Sequence, residues 1–204
     1  MGTTRLEAFS DGVMAIIITI MVLEIGVPVG HDFSALIDEL GTSILSYLLS
    51  FVYVGIYWNN HHHLFHLVSR SNGGILWANL HLLFWLSLLP ITTAWMDESG
   101  FARAPVVIYG TDLLLCAIAW AILQRVIIRD QGSNSLLRDA VGKSFKVIAS
   151  PVLYLAGIVS GLFISTTQTW PAIISLACFA VTALLWVVPD RKIESLINSK
   201  IQTD

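Results

Sequence analysis

Apolar residues along this chain come in long unbroken runs rather than in alternation. Six segments hold about 20 mostly apolar residues, the length that crosses a bilayer as a helix. They run from about Leu6 to Ile25, Ile44 to Val68, Ile75 to Met96, Pro105 to Ile128, Phe145 to Ser165 and Trp170 to Val188. None shows the two-residue alternation over about ten residues that a membrane strand requires, so the pattern predicts helices and not a barrel. Pro90 follows Ser87, Leu88 and Leu89. It removes a backbone hydrogen bond and predicts a kink near the outer end of the third span. The expected fold class is an all-α integral membrane protein with a single six-span domain over residues 1–190. The tail 191–204 is polar, with Ile193, Leu196, Ile197 and Ile201 at the spacing of a short cytoplasmic amphipathic helix, at the membrane surface or between subunits.

Composition strengthens this picture. Charged residues make up 12% of the chain and apolar residues 55%, with a mean hydropathy of +0.75. A soluble domain carries roughly 25% charged residues, so lipid must be the solvent for much of this surface. The net charge of -3 comes without a basic block, which argues against nucleic acid as a partner. Arg5, Arg70, the group Arg125, Arg129, Arg138, Lys143 and Lys146, and finally Arg191, Lys192 and Lys200 fall on one side of the predicted spans. Only Arg103 falls on the other, where the first loop carries Asp32, Asp38 and Glu39. The positive-inside rule then places both termini in the cytoplasm. Cys116 and Cys178 lie inside apolar stretches and read as core residues. The start lacks a basic leader region and a small-residue cleavage site, so no cleaved signal peptide is expected.

The first span is the most informative. Thr4 and Glu7 have the spacing of a capping box that starts the helix at Arg5. Asp11 lies roughly 9 Å along the axis from Arg5, at the edge of the hydrocarbon. A carboxylate there costs several kcal/mol unless it is paired or wetted. Candidate partners on the second and third spans are Trp58, His62, His63, Asn79 and His81. Beyond Asp11 the span has no charge until Glu24, and Gly12, Ile16, Thr19, Ile20 and Leu23 share one face. Two readings fit that stripe. It is either ordinary packing, or the lining of an axis where several copies meet and rings of Ile and Leu close by dewetting.

The histidines His61, His62, His63, His66 and His81 are concentrated on the second and third spans. His62 and His66 stand at i and i+4, a spacing open to a metal pair. A membrane metalloenzyme is therefore one alternative, although a di-iron oxidase uses more histidines than the six present. Interhelical hydrogen bonding is another reading, and pH sensing a third. A secondary transporter would call for internal repeats and broken helices, and no convincing repeat is visible. No metal or cofactor is implied.

The stretch Arg5-Leu-Glu-Ala-Phe9-Ser10-Asp11 reads R-x-x-x-F-S-D at the start of the first span. It resembles the signature of the transmembrane protein 175 family, the lysosomal potassium channels and their bacterial relatives. The continuation from Gly12 to Ile25, the Trp58-Asn-Asn-His-His run, Asn79-Leu-His81 and the six-span plan are similar as well. The resemblance implies a potassium-selective leak channel without a Thr-Val-Gly-Tyr-Gly filter, not an enzyme. One repeat implies a homotetramer in a bacterial plasma membrane. A pore lined by the first helix then has its constriction at Ile16, Ile20 and Leu23, with Ile16 the narrowest and Thr19 near the ion path. Arg5, Phe9, Ser10 and Asp11 become a polar network that holds the pore helix against spans two and three. A proton-permeable channel or small-ion transporter is the alternative.

Overall fold

The computed structural model describes residues 2–28, 31–68, 70–132, 135, 137–138 and 145–187. They form seven helices: α1 (Thr4–Leu23), α2 (Phe33–His66), α3 (Gly73–Leu86), α4 (Leu89–Glu98), α5 (Arg103–Gln131), α6 (Phe145–Gly161) and α7 (Trp170–Val187). Apart from an isolated bridge between Ser165 and Gln168, no strand pairing occurs among the described residues. The tail at 191–204 lies outside them, as does Val188.

The helices correct the expected spans in four places. First, α1 starts at Thr4 behind Thr3, which has helical dihedrals and makes no side-chain cap hydrogen bond. The Thr4–Glu7 capping box does not form, because such a cap needs an extended N-cap residue to turn its oxygen onto the helix. The Thr3 carbonyl instead accepts from the Leu6 and Glu7 amides at 2.8 and 3.0 Å. Second, the segment read as a long first loop is helical from Phe33 onward. At 34 residues α2 is about 51 Å long, well beyond a hydrocarbon thickness of about 30 Å.

Third, span three does not merely kink at its outer end. It breaks at Ser87–Leu88 into α3 and α4, with Pro90 in the first turn of α4. Pro90 has no N–H to give the Leu86 carbonyl, and its ring crowds that carbonyl. Thr92 and Thr93 hydroxyls bond back to Leu88 and Leu89 carbonyls and stabilise the new start. Fourth, α6 ends at Gly161 and not at Ser165. Its 17 described residues reach about 26 Å. Five stretches are long and apolar enough to cross a membrane, with α3 and α4 together making one of them.

The helices run up and down, so their ends sort by charge. Asn72 at the start of α3 donates to Asp130 at the end of α5 (2.5 Å), and Gln131 donates to the Leu67 carbonyl after α2 (2.8 Å). The start of α1, the end of α2, the start of α3, the end of α5, the start of α6 and the end of α7 thus share one end of the bundle. Arg5, Arg70, Arg125, Arg129 and Lys146 lie there, and Arg103 lies at the other. α5 is the central post and touches α3, α4, α6 and α7. α6 and α7 pair antiparallel: Ser175 donates to the Gly157 carbonyl at 2.8 Å and Trp186 Nε1 to Ser150 at 2.7 Å. The fully buried Phe179 sits between α5 and α6 because Gly110 and Gly157 leave it room. A Cβ on Gly157 would come within 2.5 Å of the Phe179 ring.

Candidate functional site

α1 lies against α2, α3 and α4. At 3.6 residues per turn its apolar side chains divide into two faces. Leu6, Ser10, Met14, Ile17 and Met21 turn inward and are buried. Gly12, Ile16, Thr19, Ile20 and Leu23 turn outward and are exposed. Ile16 is 58% exposed and Ile20 42%, against 1% for Met14. The conspicuous stripe of the sequence therefore takes no part in this chain's own core, so intrachain packing does not account for it. Thr19 Oγ1 donates to the Ile16 carbonyl at 2.8 Å, which leaves its lone pairs toward the outside.

On the inward face the Phe-Ser-Asp motif separates residue by residue. Ser10 is fully buried. Its hydroxyl donates to the Leu6 carbonyl at 2.9 Å and accepts from Asn79 Nδ2 on α3 at 2.9 Å. Asn79 Oδ1 pairs with His61 Nε2 on α2 at 2.8 Å. An amide oxygen can only accept, so Nε2 carries the ring proton. His61 Nδ1 is then an acceptor, buried and without a partner among the described residues. Three helices are thus clasped through one serine, one amide and one imidazole. Arg5 and Phe9 are exposed and Asp11 is half-buried; the hydrogen-bonded chain does not run through them.

Of the named partners, Asn79 bonds the motif directly, through Ser10. Trp58 is exposed and stacks on His62, with ring centroids 6.3 Å apart. His62 Nε2 meets His66 Nε2 at 3.1 Å on the exposed face. His81 accepts from Trp85 Nε1 at 3.0 Å within α3. His63 is half-buried. His61 was absent from the partners named on sequence, yet a signal existed. Tyr57, His61, Leu64 and Phe65 are buried at helical spacing on α2, which turns His61 inward and its two neighbours away from that face. Among the described residues no group of three or more His, Cys, Asp or Glu is placed to hold a metal.

A second polar seam, nearer the other end of the bundle, was not legible in the motif. Ser43 and Ser46 on α2 donate to the Asp97 carboxylate on α4 (2.5 and 3.4 Å). Ser50 bonds Thr93 at 2.7 Å and Tyr109 at 3.0 Å. Thr92 donates to Asp112 Oδ2 at 3.2 Å, and Asp112 Oδ1 is buried without a partner among the described residues. The signal was the run Ser43, Ser46, Ser50 and Tyr53 at three- and four-residue intervals, one polar line on an apolar helix. These bonds fix α2 to α4 just beyond the break, where backbone groups lose their regular partners.

Known proteins resemble this chain in sequence and in fold. The sequence profile of the endosomal/lysosomal potassium channel TMEM175 family matches residues 5–90, which hold the outward stripe and every member of the Ser10–Asn79–His61 clasp. A potassium channel of Chryseobacterium sp. (strain P1-3) is 53% identical over 194 residues, covering 95% of this chain and 97% of its own. The endosomal/lysosomal proton channel TMEM175 of Mus musculus is 38% identical over 112 residues, half of this chain and 22% of that one. The crystal structure of a lysosomal potassium-selective channel TMEM175 homolog from Chamaesiphon minutus superposes with a TM-score of 0.72 at 30% identity, over 91% of this chain and 96% of that one.

Proposed function

The chain belongs to the TMEM175 family of channels, and from that premise we propose that it is a potassium-selective leak channel conducting as a homotetramer. The observation that carries the proposal is the outward face of α1. Ile16, Ile20 and Leu23 are large, apolar and unused by their own chain. Four copies around an axis turn each of these residues into a ring. A ring of Ile narrow enough to exclude bulk water closes by dewetting and opens by a small widening. Ile16 is the narrowest, and Thr19 supplies oxygen lone pairs between the rings. Such rings offer no ligands, so selectivity comes from the cost of partial dehydration, which is lower for potassium than for the more strongly hydrated sodium. The selectivity expected is modest and sensitive to side-chain volume at Ile16.

The Ser10–Asn79–His61 clasp supports the same reading. It fixes the rotation of α1, and a turn of the helix by one residue, about 100° at 3.6 residues per turn, would take Ile16 off the axis. Arg5 and Asp11, exposed or half-buried at the basic end, are then available to a neighbouring subunit or to water at the pore entrance. The positive-inside rule puts that end in the cytoplasm of a bacterial cell. The family is one of ion channels, which supports a reading without catalysis.

The test is flux into liposomes holding purified protein, potassium against sodium, for wild type and Ile16→Asn. The expected result is potassium flux above sodium flux, with the preference reduced or abolished by the substitution. Proton flux is recorded in parallel, because the mouse relative carries the name of a proton channel. Wild-type flux that Ile16→Asn leaves unchanged in rate and selectivity rejects the α1 pore.

A further inference from the structure

The bundle does not close equally well along its length. Where α5, α6 and α7 meet near Gly110, Gly157 and Phe179 the glycines let the helices touch. Toward the basic end the same helices part around a cavity of about 420 Å³ between α2, α5, α6 and α7. That volume lies within the range of small-molecule sites. Ala117 and Ala121 on α5 leave it unfilled, and Tyr57, Ile118 and Leu155 make much of its wall apolar.

Its polar groups gather toward the basic end. Gln124 is more than nine-tenths buried and its amide lines the cavity. Arg125 also lines it, one turn beyond Ala121. Ser150 accepts from Trp186 there, and Lys146 lies 5.8 Å from the centre of the Trp186 ring. A long apolar slot with one buried amide and a guanidinium at its mouth has the chemistry of one ligand class.

We propose that this cavity is a seat for an anionic phospholipid of the leaflet at the basic end, its phosphate on Arg125 and an acyl chain against Tyr57, Ile118 and Leu155. Charge complementarity selects the occupant. A zwitterionic lipid gains less from the guanidinium, and a soluble phosphate leaves the apolar wall uncovered. Basic pockets between membrane helices bind anionic headgroups for the same reason. The amide of Gln124 then gains a hydrogen-bond partner in the headgroup or the glycerol esters. A filled cavity holds α2 and α5 apart by a fixed amount, and α2 carries His61 of the clasp behind the pore helix.

The purified full chain is equilibrated with phosphatidylglycerol or with phosphatidylcholine of the same acyl chains, and retained lipid is counted by native mass spectrometry. Phosphatidylglycerol is expected to be retained preferentially. Arg125→Gln, at an exposed position, should weaken retention about fivefold, while Arg125→Lys keeps most of it. Ala121→Phe keeps the charge but fills the slot, and should lower retention of both lipids. Equal retention of the two lipids, unaffected by Arg125→Gln, overturns the proposal. So does displacement of the bound lipid by glycerophosphate without acyl chains, which would make Arg125 a site for soluble anions. Lipid is counted on the protein itself, so the result stands whether or not the chain conducts.

Discussion

Asn79 is bonded at both ends of its amide, to a hydroxyl on α1 and an imidazole on α2. Interhelical hydrogen bonds in a bilayer contribute about 0.6 kcal/mol each, and up to about 1.7. Asn79→Leu removes two of them and leaves His61 with neither ring nitrogen paired among the described residues. It should cost about 1–3 kcal/mol, visible as a lower unfolding midpoint in detergent. His62→Ala, one residue away on the exposed face, should leave the midpoint unchanged. Equal effects of the two would mean that the clasp contributes nothing beyond the presence of histidine. Within the motif Ser10 is the member hydrogen-bonded to α3.

At the scale of elements, α1 carries two apolar faces with different tasks. Met14 is buried against neighbouring helices, and Ile16 is exposed. Met14→Ala should leave a cavity and cost about 2–5 kcal/mol, measured again as an unfolding midpoint. Ile16→Ala should change that midpoint by less than about 1 kcal/mol while raising ion flux through the widened ring. Comparable destabilisation by both would place Ile16 in a packed core and remove it from the pore. The break between α3 and α4 belongs to this scale too. Pro90 forces it, and the Ser43–Asp97 and Ser50–Thr93 bonds hold the displaced half in place.

For the whole molecule, the exposed apolar stripe on α1 and the cavity on the α5–α6–α7 side are different surfaces. If four chains meet at α1, then a cysteine at Leu23, in a chain with Cys116 and Cys178 replaced by alanine, should oxidise to a disulfide between subunits. The product should run as a dimer of the 22.4 kDa chain on a denaturing gel. A cysteine at Met21, on the buried face, should not. A monomeric mass in detergent together with no cross-link at Leu23 would remove the tetramer.

Amino-acid sequence alone determined that lipid surrounds this chain, that its crossing elements are helices, and which end of the bundle is basic. Each follows from local counts: lengths of apolar runs, absence of alternation, and the positions of eleven lysines and arginines. It also marked α1 as special, through the seven residues from Arg5 to Asp11 and the stripe beyond them. Tertiary structure decided what local counts cannot. Periodicity assigns residues to faces but does not say which face meets a neighbour, so whether the stripe packed at home or looked outward was open until α2, α3 and α4 were in place. Four consecutive positions from Asn60 to His63 are polar, and only the rotation of α2 chose His61 as the one Asn79 reaches. The Asp97 and Asp112 seams and the cavity beside Arg125 unite residues from helices far apart in the chain. No pattern along the sequence records such a distance, because it is set by how the helices cross.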